Sequence, residues 1–133
     1  MNTTFWLAFA AYLLPTFPLG YFWHLKTFAK TYDKLEIYRS QPIIPLGLAS
    51  MILQGLFFAW VFPRLFDTSA SWLGNAVQFF VIFGLLAWSF LVLPVAAKNR
   101  MSSVVTFMKL ETAFTAIQFA VTGLLIAFVY RGA

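Results

Sequence analysis

The side chains that could do chemistry are few, and several lie in the last hydrophobic stretch, Val104 to Tyr130. Glu111, Thr115, Gln118 and Thr122 recur there at i, i+4, i+7 and i+11, so a helix puts them on one polar stripe. Polar groups in lipid must find polar partners. Two readings of Glu111 follow. Buried in the membrane, it could exchange a proton against a substrate or bind a cation. Alternatively the span is Thr112 to Tyr130, whose 19 residues give about 28 Å of helix, and Glu111 sits at the interface beside Lys109. Gln54, Ser50 and Ser89 are further ligand-binding or proton-carrying candidates on other apolar stretches. By depth, Ser50 and Ser89 lie level with Glu111, and Gln54 and Gln118 lie nearer the middle.

His24 is the single histidine. One His cannot supply both axial ligands of a haem or a three-ligand metal site within one chain, although a symmetric dimer could bring two. As a proton relay it needs a carboxylate within reach. Otherwise it is an interfacial His bonded to backbone or headgroups. No cysteine is present, which removes disulfides, zinc–thiolate sites and iron–sulfur clusters. Paired carboxylates, a Ser–His–Asp order and a phosphate-cradling glycine loop are all missing. The sequence therefore assigns no catalytic residue, no metal and no cofactor.

These residues sit on elements fixed by composition. Hydrophobic residues make up 62% of the chain and charged residues 10%, far below the roughly one quarter that a soluble domain carries. A hydrocarbon core about 30 Å thick takes about 20 helical residues. Long uncharged stretches predict four transmembrane helices over residues 4–26, 45–62, 73–97 and 104–130, one all-α bundle with no soluble domain left over. The first stretch lacks the basic n-region and small-residue cleavage site of a signal peptide. Pro15 and Pro18 free carbonyls inside the first span, as in a broken helix that lines a site or in a plain kink.

Charge sets an orientation. Lys26, Lys30, Lys34 and Arg39 lie around the first connection, 27–44, and Lys98, Arg100 and Lys109 around the third. The opposite side holds only Arg64 and Arg131. The bias predicts cytoplasmic basic loops with both termini on the non-cytoplasmic side. The first connection has Phe28, Tyr32, Leu35 and Tyr38 at helical spacing, which suggests a short helix lying on the membrane with its lysines toward headgroups. Anionic lipid at Lys26, Lys30, Lys34 and Arg39 is the partner this implies. The basic residues flank spans and form no separate domain, so nucleic acid is not expected.

Small residues mark where helices can meet. Ala116, Ala120, Gly123 and Ala127 form a ridge roughly opposite the polar stripe, and Gly55 with Ala59 forms a second small pair. The last helix should then pack on both sides, within this chain, in a homo-oligomer or against a membrane-complex partner.

The stretch Gly20-Tyr21-Phe22-Trp23-His24-Leu25-Lys26, continued by Tyr32-Asp33-Lys34-Leu35, Ile37-Tyr38-Arg39 and Pro42-Ile43-Ile44-Pro45-Leu46-Gly47, resembles a group of small four-helix bacterial integral membrane proteins of unknown function. Gln54-Gly55 and Glu111-Thr112-Ala113 fit the same pattern. The resemblance implies a multi-pass protein of the bacterial inner membrane and carries no activity. It draws attention to the cytoplasmic mouth of the bundle. The function expected from these features is non-catalytic: an accessory or assembly subunit, or a small bundle that binds a lipid or another apolar ligand. An oligomeric proton-coupled transporter using Glu111 is the alternative, and an enzyme acting on a lipid or quinone a weaker one.

Overall fold

A computed structural model describes residues 1–133 as an all-helical chain without strands. Helix α1 (Thr3–Phe22) runs into a π-turn, Trp23–Thr27, and the short α2 (Ala29–Leu35) follows. Helix α3 spans Ile44–Leu65. Helix α4 (Trp72–Ala87) passes through a second π-turn, Trp88–Val92, into α5 (Leu93–Lys98), and α6 spans Val104–Tyr130. Four helices are long and apolar enough to cross a membrane: Thr3–Thr27, Ile44–Leu65, Trp72–Lys98 and Val104–Tyr130. The outer faces of these helices are apolar, with Leu53, Val77, Leu85 and Phe90 well exposed, as hydrocarbon requires.

Local chemistry explains the helix starts. Asn2, Ser71 and Ser103 are N-caps whose side chains accept from Phe5, Gly74 and Thr106 amides. Pro45 sits in the first turn of α3, where its missing N–H costs nothing. Pro15 and Pro18 lie within α1, yet the helix continues through both.

Helix α6 is the shared element. It packs along α1 on one side and α4 on the other, while α3 lies chiefly against α1. The α1 contact uses a buried row, Ala8, Tyr12, Thr16 and Gly20, at i, i+4, i+8 and i+12. The α4 contact is close because Gly123 leaves room: a Cβ there would stand 2.9 Å from Phe79 and 3.2 Å from the Ala76 carbonyl. Gly55 does the same for α3 and α1, with Phe9 at 3.0 Å from such a Cβ. Phe58, Phe62, Phe79, Phe83, Phe119 and Tyr130 fill the end of the bundle near the chain termini. Phe62 and Tyr130 stack there at 5.3 Å, and the Tyr130 hydroxyl donates to the Ala59 carbonyl at 2.5 Å.

Two expectations change. The small-residue ridge does not act as one surface: Gly123 and Ala127 are buried, Ala120 is half-buried and Ala116 is exposed. The connection also differs from a helix floating on headgroups. Its α2 turns Tyr32 and Leu35 into a second apolar cluster with Val92 and Phe107, so it caps the bundle. Ser102 reinforces the cap: its hydroxyl donates to the Lys34 carbonyl at 2.6 Å and its amide to the Leu35 carbonyl at 3.2 Å. Glu36 ends α2 in the left-handed conformation, at φ 59°.

Candidate functional site

The site is built where the π-turn of α1, the capping connection and α6 meet. The π-turn widens the helix by one residue just where the Tyr12–Thr16–Gly20 row would reach its next position. That position is His24. Its Nδ1 lies 3.0 Å from the Gly20 carbonyl, and its Nε2 lies 3.0 Å from Glu111 Oε1. A carbonyl only accepts, so Nδ1 carries a hydrogen. One further proton then lies between Nε2 and Oε1, as an ion pair or as a neutral imidazole with a carboxylic acid.

Two phenols reach the same carboxylate oxygen. Tyr32 donates to Oε1 at 2.6 Å and Tyr38 at 3.3 Å. Trp23 Nε1 donates in turn to the Tyr32 oxygen at 3.0 Å. The rings also pack, with His24–Tyr32 at 4.8 Å, Tyr32–Tyr38 at 5.3 Å and His24–Phe114 at 4.7 Å. Burial, and then the hydrogen bond and negative charge of Glu111, push the Tyr32 phenol well above its ordinary value of 10.0. Partial burial, then the Glu111 charge and hydrogen bond, raise Tyr38 as well, although 47% of its surface is exposed. The Glu111 side chain is only 12% exposed, so these donors replace most of its water.

Beside this cluster lies a cleft of about 1030 Å³, at the top of the roughly 300–1,000 Å³ range of small-molecule sites. Its walls come from the end of α1, the connection and the first turns of α3. Leu25, Ile37, Ile43 and Leu46 give it apolar lining, and Lys30 and Arg39 bring charge. His24 and Tyr38 form part of its wall, so the Glu111 cluster stands directly behind it. Gly47 faces open space there, since a Cβ would meet nothing within 4 Å.

The candidates named from the sequence divide into two pairs and two single residues. Glu111 and His24 come together. Gln54 and Gln118 come together elsewhere, through Tyr12, whose hydroxyl donates to Gln54 at 2.5 Å and accepts from Gln118 at 3.0 Å. This polar chain, with Tyr12 in its middle, joins α3, α1 and α6 as interhelical glue. Ser50 lines the cleft, with its hydroxyl donating to the Gly47 carbonyl at 2.7 Å. Ser89 joins neither group: it is exposed and donates to the Leu86 carbonyl of its own helix at 2.9 Å. No group of His, Asp or Glu stands ready to hold a metal.

Tyr32 and Tyr38 belong to the site, and Tyr12 to the separate Gln54–Gln118 link; sequence pattern alone marks none of the three as a polar group. Tyr12 had a readable signal, since Tyr12, Thr16, Gly20 and His24 share one helical row. Tyr32 and Tyr38 read as members of an apolar stripe because periodicity does not distinguish a ring from its hydroxyl.

No family model, curated protein or solved structure matches this chain.

Proposed function

We propose that this chain is a non-catalytic multi-pass membrane protein that holds a small amphipathic molecule in the cleft between α1, the connection and α3. The observation that carries the reading is the cleft itself, which combines an apolar lining with cations and hydroxyls at one end of a bundle. The Glu111 cluster has a positioning part: it ties Tyr32 and Tyr38 to α6 and so fixes the wall. In this reading the basic end faces the cytoplasm, by the positive-inside bias, in a bacterial inner membrane. The bundle can act alone or as an accessory subunit that presents its ligand to a partner.

Native mass spectrometry of the protein, extracted gently from its own membrane, tests this reading. The expected spectrum is the chain or its homo-oligomer carrying a small-molecule adduct. A bare chain at every extraction condition contradicts ligand binding. A hetero-complex without an adduct replaces it with a purely structural accessory part.

One observation favours a second reading. His24 meets the requirement for a relay, because Glu111 lies 3.0 Å away and one proton is shared between them. A proton-coupled transporter would release protons on adding substrate, and Glu111→Gln would abolish the release. Retained release in that variant eliminates it.

A further inference from the structure

The cleft sorts the basic residues of the connection into two kinds. Lys30 and Arg39 line it, whereas Lys26 and Lys34 do not. Lys26 instead lies over the Tyr21 ring at 5.8 Å. The single contact between a basic side chain and a carboxylate in the whole chain is His24–Glu111, so neither Lys30 nor Arg39 is paired with a carboxylate. Asp33 is the one carboxylate in the lining, against these two cations. Around them, the same end of the molecule carries Lys26, Lys34, Lys98, Arg100 and Lys109, so the surrounding potential is positive as well.

The most exposed apolar part of the lining lies at the start of α3. Ile43 and Leu46 are 51% and 66% exposed at the start of a helix long enough to span a bilayer. A soluble anion would use the cations and leave this surface wet. A purely apolar molecule would use this surface and leave two charges unmet. Only an amphiphile with an anionic head satisfies both parts at the depth where headgroups lie.

We propose that the occupant of the cleft is an anionic phospholipid, its phosphate held by Lys30 and Arg39 and its acyl chains leaving past Ile43 and Leu46 into the bilayer. This rests on the ligand-binding reading above and adds the class of ligand. Arg39 offers a planar fork to two phosphate oxygens, and Lys30 adds a point charge.

The test uses the full chain in neutral detergent, with phosphatidylglycerol or phosphatidylcholine of identical acyl chains added, and retention read by native mass spectrometry. Phosphatidylglycerol is expected to be retained roughly tenfold or more over phosphatidylcholine, as two nearby cations predict. Lys30→Gln with Arg39→Gln should remove that preference. Lys26→Gln with Lys34→Gln, an equal loss of charge outside the cleft, should leave it within about twofold. Equal loss in the two double variants overturns the site in favour of a diffuse basic surface. Equal retention of the two lipids overturns the anionic head while leaving an amphiphile in the cleft. Retention of neither lipid overturns the ligand-binding reading as well. If that double variant does not fold, Gly47→Phe, which fills the cleft and keeps every charge, takes its place: loss of the preference supports the site, and an unchanged preference overturns it.

Discussion

Glu111 gathers donors from two separate segments onto one oxygen: His24 from the end of α1, and Tyr32 and Tyr38 from the connection. Hydrogen bonds to a charged acceptor contribute about 1.5–3 kcal/mol each in soluble proteins, and interhelical ones in membranes about 0.6–1.7. Glu111→Gln keeps the volume and loses the charge, so it should cost about 1–3 kcal/mol in unfolding by heat or denaturing detergent. Tyr32 and Tyr38 add a pH signature. Their folded values lie above the unfolded 10.0. Above about pH 10 the unfolded phenols ionise while the folded ones resist, so stability should fall as pH rises past that point. Melting curves from pH 9 upward should show the fall, and Tyr32→Phe with Tyr38→Phe should flatten it. An unchanged alkaline limb in that double variant would show that the phenols do not ionise against the Glu111 charge. At this scale the sequence identified Glu111 and His24 separately. Spacing could not pair them, because they are 87 positions apart and a π-turn precedes the contact.

At the scale of elements, one small-residue ridge divides into two kinds of position. Gly123 lies against Phe79 and the Ala76 carbonyl, a backbone atom that cannot move aside. Gly123→Leu should therefore separate α6 from α4 and destabilise the monomer by about 1–3 kcal/mol or more. Ala116 is exposed, so Ala116→Leu should leave the monomer melting temperature unchanged. A change of oligomeric mass confined to Ala116→Leu would place a partner helix on that face. Equal melting of the two variants would contradict the α4–α6 packing. Four helices long and apolar enough to cross a membrane were readable from uncharged length. The cap was not, because α2 has seven residues and its fate depends on Ser102, Val92 and Phe107, all far away in sequence.

At the scale of the molecule, one end is basic and holds the cleft, and the other is closed by aromatic rings around Phe62 and Tyr130. The proposed orientation, with basic loops in the cytoplasm, would put the cleft in the cytoplasmic leaflet. The chain has no cysteine, so single cysteines can report orientation. Ser69→Cys should react with a membrane-impermeant thiol reagent in intact cells, and Ser40→Cys only after permeabilisation. The reverse pattern would turn the bundle over and move its ligand to the other leaflet.

The central claim is that the cleft holds a membrane amphiphile, and filling the cleft tests it most directly. Gly47 faces open space there, so Gly47→Phe should occupy the cleft without disturbing the helices. The measurement is lipid retained per chain after identical extraction, for wild type and Gly47→Phe with matched melting temperatures. A clear fall in retained lipid is the expected result. Equal retention in the two proteins would contradict the account.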